Sequence, residues 1–147
     1  MASGPNSKLK AIAKIWKDFA KEFGLGNKME YGENYLVWRF DCSLKAFNDS
    51  IMAQFEARDD GAVQFLFLFD SLDVCEETLR MVNKVNERNA YFHAYIDTRK
   101  GNFRLEHSVF SLREEDLGAY TAAVLSELIS DPMTQLLTPI CKRTIDE

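Results

Sequence analysis

Two histidines, three cysteines and a few acidic clusters are the residues of this chain best suited to chemistry, and their spacing limits what they can do. Imidazole titrates near neutral pH and ligates transition metals, so His93 and His107 invite a general-base or metal reading. No carboxylate stands near either at the spacing of a metalloenzyme motif. Cys42, Cys75 and Cys141 are odd in number and far apart, with no Cys-x-x-Cys, which argues against a disulfide framework and a structural zinc site. Cys75 falls near an expected helix start, where the helix dipole favours a thiolate, but Asp70, Asp73, Glu76 and Glu77 oppose that charge. An inert thiol is expected there, and neither Cys42 nor Cys141 has a base nearby in sequence. The clusters Asp59-Asp60 and Glu114-Glu115-Asp116 lack the alternating oxygen ligands of a calcium loop; a turn and a helix start account for them. The glycines form neither Gly-x-Gly-x-x-Gly nor a P-loop. No catalytic, cofactor-binding or metal-binding residue is therefore expected, and the chain reads as a non-enzyme.

A chain of 147 residues with 46% hydrophobic and 28% charged content suits one folded domain able to bury its own core. The longest apolar run, residues 65 to 69, is far short of the ~20 residues needed to span a bilayer. Met1-Ala2-Ser3-Gly4-Pro5 has neither a signal peptide's apolar stretch nor a myristoylation glycine, so a cytoplasmic protein is expected. Net charge is −5, yet Lys8, Lys10, Lys14, Lys17, Lys21 and Lys28 face only Asp18 and Glu22 in the first 28 residues. Leu9, Ile12, Ala13, Trp16, Phe19, Ala20 and Phe23 recur there at three- and four-residue steps, the pattern of a helix packed on a core with lysines on its solvated side. An acidic body repels phosphate, so neither nucleic acid nor a membrane is an expected partner.

That helix should begin at Asn6 or Ser7 and stop at Gly24-Leu25-Gly26. A polar link containing Gly32 leads to strands at 35 to 42, 50 to 58 and 62 to 70. Ile51, Ala53, Phe55 and Ala57 alternate with Met52, Gln54, Glu56 and Arg58, one apolar face against one largely polar face. A three-residue Asp59-Asp60-Gly61 loop with Gly61 left-handed pairs Phe55 with Phe65, Ala53 with Phe67 and Ile51 with Phe69; a two-residue loop would slip the register and scatter these rings. Asp73 reads as the cap of a helix ending near Asn89, with Val74, Thr78, Met81 or Val82, and Val85 as its stripe. Strands at 91 to 97 and 102 to 109 follow around a four-residue loop ending in left-handed Gly101, which sets Ile96 across from Phe103, Ala94 from Leu105 and Phe92 from His107. In this register His93 and His107 point to opposite faces; a three-residue loop would put them across from each other. Ser111-Leu112-Arg113-Glu114 reads as a capping box opening a helix with Leu117, Tyr120, Val124, Leu128 and Ile129, stopping before Pro132. The expected fold is α+β, an antiparallel sheet of about five strands with helices on one face, in the order α-β-β-β-α-β-β-α. Residues 1 to 132 form its single domain, and 133 to 147 a tail, partly docked or disordered.

Met81-Val82-Asn83-Lys84-Val85-Asn86, a hairpin of the form Phe-x-Ala-x-Ile then Phe-x-Leu, and a capped helix with Leu117 and Tyr120 are similar to the bacterial YbjN-like family over roughly residues 35 to 130. The resemblance implies a type III secretion chaperone-like fold, frequent homodimers and a chaperone-like or regulatory role, and carries no catalytic residue with it. Asn83 and Asn86 read as structural, because a helix asparagine before a turn satisfies neighbouring backbone groups.

The residues also leave apolar surface over. With Phe65, Phe67 and Phe69 turned toward the helices, Leu66 and Leu68 fall on the other face beside Met52, rimmed by Glu56, Arg58 and Gln64. Such a patch marks a protein-binding or homodimer surface, and methionine adapts to varied partners. Its other explanation is cover by Met133, Leu136, Leu137 and Ile140 folding back over it. A small-molecule binder or enzyme with a cleft between sheet and helices is the alternative function.

Overall fold

In the computed structural model, which describes residues 7–43 and 50–141, the helical stripe at the amino end is buried much as its spacing predicts. Helix α1 (Ser7–Phe23) sinks Leu9, Ile12, Ala13, Trp16, Phe19 and Ala20 into the core and leaves Lys10, Lys14, Lys17 and Lys21 in solvent. Phe23, placed on that stripe by sequence, is exposed. Gly24 takes φ +65°, the left-handed exit expected of it, and Leu25 N–H donates to the Ala20 carbonyl at 2.8 Å. Asn6, the other expected start, lies outside the described residues.

The strands are β1 (Lys28–Tyr31), β2 (Tyr35–Ser43), β3 (Ser50–Arg58), β4 (Val63–Ser71), β5 (His93–Asp97) and β6 (Asn102–Val109). They form one antiparallel sheet in the order β1-β2-β3-β4-β6-β5. Both hairpin registers read from sequence are present. Phe55 faces Phe65 and Ala53 faces Phe67 around Gly61 at φ +94°, and Ala94 faces Leu105 and Ile96 faces Phe103 around Gly101 at φ +70°. Local loop chemistry and parity suffice for these.

The segment expected as a polar link contains strand β1, in which Met29 and Tyr31 are the two apolar residues. It exists because β2 pairs with it and because the Trp38 indole donates to the Gly26 carbonyl at 2.7 Å, holding the segment that enters it. Helix α2 (Glu76–Arg88) is capped by Cys75 rather than Asp73: Cys75 N–H donates to Thr78 Oγ1 at 3.0 Å, while the Thr78 hydroxyl donates to the Asp73 carbonyl at 2.6 Å. Thr78, Val82 and Val85 form its buried stripe, and Val74 is exposed. The capping box expected at Ser111 is replaced by a left-handed Ser111 (φ +60°) whose neighbour Leu112 donates to the Gly61 carbonyl; a short 3-10 turn, Glu114–Asp116, then leads into α3 (Leu117–Leu128). The contact that overrides the cap is a distant one, with the β3–β4 turn.

The expected tail contains a helix, α4 (Asp131–Cys141), with Pro132 in its first turn. Met133, Leu137 and Ile140 are buried in the common core, and α4 packs against α2 and α3. It thus lies on the helix side of the sheet, and no helix of the described residues covers the other face. The four helices of the described residues share one side, over a core of fully buried Trp16, Trp38, Phe55, Phe65, Phe67 and Phe103.

Candidate protein-binding surface

Strand parity sorts the outward face of the sheet. The outward cross-strand neighbours are Arg39 with Gln54, Met52 with Leu68, Gln54 with Leu66, Glu56 with Gln64, Leu66 with Glu106, and Leu68 with Arg104. Polar side chains knit its flanks. Arg39 Nε donates to Gln54 Oε1 at 3.0 Å and its guanidinium pairs with Glu30 at 3.2 Å. On the far side Arg104 pairs with Asp97 at 3.1 Å, and the Tyr95 hydroxyl donates to Glu106 at 3.3 Å. Burial works to raise the Asp97 carboxyl, but the backbone N–H groups of Arg99 and Lys100 and the Arg104 charge outweigh it and hold it below the usual carboxylate range.

The apolar residues between these flanks are unequally available. Val37 is 4% and Leu66 6% exposed, so both are buried in a single copy, whereas Met52 is 43% exposed and Leu68 half-buried. Leu66, expected from sequence as a contact residue, therefore lies beneath the surface and supports it. Its burial comes from central position: β3 and β6 flank β4, and their long Gln54 and Glu106 side chains stand directly across from it. Glu56, Arg58 and Gln64 line a shallow groove of about 370 Å³ together with Asp60, Ser108 and Phe110. Phe110, 77% exposed, escaped the sequence reading. Its signal was parity, since Glu106, Ser108 and Phe110 continue one outward row of β6.

The histidines separate as the register requires. His93 stands across from Glu106 on the outward face and His107 across from Phe65 on the inward one. His107 Nδ1 donates to the Tyr91 carbonyl, which can only accept, at 2.7 Å, and Nε2 lies 2.5 Å from the Tyr120 hydroxyl. Tyr91 stacks on this imidazole at 4.2 Å between ring centroids. The ring is thus a structural bridge between the start of β5 and α3. Both histidines border an open hollow of about 620 Å³ at the start of β5, but among the described residues no three His, Cys, Asp or Glu side chains gather as a metal would need. Burial pushes the Cys42 thiol up, away from thiolate reactivity.

Burial is likewise the main cause raising the hydroxyls of Tyr91, Tyr95 and Tyr120; Tyr120 and Glu127 add to it at Tyr91, while at Tyr95 an Arg104 hydrogen bond opposes it and Glu106 reinforces it. Since these folded-state values lie above those of the unfolded chain, ionisation favours unfolding. Stability should hold below about pH 10 and fall as pH rises through the raised values. Thermal melting recorded alongside tyrosinate absorbance tests this; a melting temperature indifferent to tyrosinate formation contradicts it.

Asn86 and Asn89 carry much of the geometry here. Asn86 Nδ2 donates to the Ala94 carbonyl at 2.9 Å and Ala94 N–H donates to Asn86 Oδ1 at 2.7 Å, so one amide imitates a neighbouring strand along β5. Asn89 Oδ1 accepts from the backbone of Tyr91 and Phe92, and its Nδ2 donates to the carbonyls of Val85 and Phe92. Asn86 thus has the structural role read from sequence, while Asn83 is exposed and Asn89 was missed.

Among the described residues no helix is long and apolar enough to cross a membrane. No family model matches the sequence, and no curated protein is significantly similar to it. Among solved structures, a chain in the crystal structure of the ExsC-ExsE complex superposes with a TM-score of 0.58 at 14% identity, over 90% of this chain and 95% of that one. The likeness is one of fold, the type III secretion chaperone-like α+β class expected from sequence; the sheet has six strands, β1 being one beyond the five expected.

Proposed function

We propose that this chain is a non-enzymatic protein-binding domain, chaperone-like or regulatory, which receives a partner segment on the helix-free face of its sheet and works as a homodimer in the bacterial cytoplasm. The observation carrying this reading is that the four helices of the described residues lie on one side, while Met52 and Phe110 are exposed and Leu68 half-buried on the other. Met52 and Leu68 are the apolar anchors, Leu66 fills the space beneath, and Glu56, Arg58 and Gln64 supply a polar rim, the layout of a modest protein interface. The fold likeness to a chain from a two-protein complex, ExsC with ExsE, supports a protein as the ligand. Membership of the YbjN-like family belongs to the same reading. It rests on Asn86 and on the Phe92, Ala94, Ile96, Phe103 and Leu105 hairpin, whose members pack in or against the core.

The test uses the full chain and its Leu68→Asp and Met52→Asp variants as bait, followed by calorimetry on each recovered protein. A carboxylate buried against an apolar partner costs about 1–3 kcal/mol or more, so affinity should fall at least about tenfold while far-ultraviolet circular dichroism stays unchanged. Equal recovery and affinity for all three baits would remove the proposal.

A further inference from the structure

The two edges of the sheet differ. On β5, the Ala94 N–H and carbonyl that face away from β6 are occupied by the Asn86 side chain. On β1, the terminal strand at the other end, the pattern runs differently. Gly32 N–H donates to the Tyr35 carbonyl at 2.8 Å, which makes Gly32 and Tyr35 a hydrogen-bonded pair closing the β1–β2 turn. Pairs alternate in an antiparallel ladder, so Lys28 and Glu30 bond to β2 while Met29 and Tyr31 direct their N–H and carbonyl groups outward.

From this edge we infer that β1 is the homodimer seam: two copies join antiparallel, β1 to β1, about a two-fold axis at Met29. The inference rests on the homodimer reading above and specifies its surface. Parity and charge select the register. To keep outward faces together, each residue must meet one of its own parity. Centring on Lys28 sets lysine against lysine, and centring on Glu30 sets glutamate against glutamate. Centring on Met29 alone places Lys28 opposite Glu30 of the second copy, twice, with Met29 opposite Met29. That register also matches outward backbone groups: Met29 bonds to Met29, and Tyr31 to Asn27 of the second copy. Lysine on a sheet edge ordinarily discourages pairing, so its glutamate complement two residues on is the informative feature.

The result is one continuous sheet in which both helix-free faces point the same way, doubling the surface offered to a partner. Edge pairing this short buries less than the ~1,600 Å² of a standard interface, so a dissociation constant on the order of micromolar is expected.

Sedimentation equilibrium on the full chain, from about 1 to about 100 μM, compares the native protein with Lys28→Glu, Glu30→Lys and the double reversal. Native protein should dimerise and each single reversal should weaken dimerisation about tenfold, because two attractive cross-strand pairs become repulsive. The double reversal should restore it to within about threefold. Lys28→Glu leaves the Glu30–Arg39 pair in place, and circular dichroism checks the fold of each variant. Dimers unaffected by the single reversals, or not rescued by the double, overturn the β1 seam while leaving the homodimer intact. A native chain monomeric at the highest concentration overturns both, and the Leu68→Asp comparison still reports separately on partner binding.

Discussion

Phe55→Ala should cost about 3–5 kcal/mol of folding stability, a large share of the 5–15 kcal/mol available to a domain of this size. The Phe55 ring is fully buried at the centre of the sheet's inward face. Its centroid lies 4.8 Å from that of Phe65, 5.2 Å from Phe40, 5.5 Å from Trp38, 5.6 Å from Phe67 and 6.1 Å from Trp16. Most of these contacts are edge-on, the geometry in which an aromatic pair contributes beyond its buried area. The residues around the resulting cavity are themselves held by strand pairing and by α1, so little collapse can offset the loss. Urea denaturation with the midpoint and slope fitted separately measures the effect. A shift below about 1 kcal/mol would show that the site repacks and that the aromatic cluster is not the centre of the core.

Asn89→Ala should have the second-largest effect, about 2 kcal/mol, since one amide makes four hydrogen bonds to main-chain groups. It closes the end of α2 and turns the chain into β5, with Tyr91 and Phe92 N–H both within 2.9 Å of its carbonyl oxygen. Water can replace only part of this set, because the residue is half-buried. The same substitution should loosen the Tyr91–His107–Tyr120 bridge that depends on where Tyr91 sits. Hydrogen exchange of the Phe92 and Ala94 amides should rise with the loss of stability. Asn83→Ala, at an exposed position of the same helix, serves as the control and should change stability by no more than about 0.5 kcal/mol. Equal effects at the two positions would mean that Asn89 is not the residue fixing this turn.

The candidate site was legible in part. Strand alternation placed Met52, Gln64, Leu66 and Leu68 on one face and the phenylalanines on the other, because parity is a property of the chain itself. How deep each outward residue lies is not. Leu66 and Leu68 are two positions apart on one strand and chemically identical, yet Leu66 is buried and Leu68 half-buried, a difference set by neighbouring strands. Phe110 was recoverable by extending the β6 row by one residue beyond Val109.

Features that depend on near neighbours in the chain were legible from the residues: the amphipathic α1, both hairpin registers, the left-handed glycines at 24, 61 and 101, and the α+β class. Each follows from side-chain period or backbone sterics acting over a few residues. The existence of β1, the left-handed Ser111 in place of a cap, the docking of α4 beside α2 and α3, and the Asn86 bonds that close one sheet edge all came from remote contacts. In each of these, a backbone or side-chain polar group or an apolar face gains its partner from a remote element, so no local pattern could announce it. The open face exists for the same reason: α4 found its burial beside α2 and α3, and no other described helix covers the opposite side.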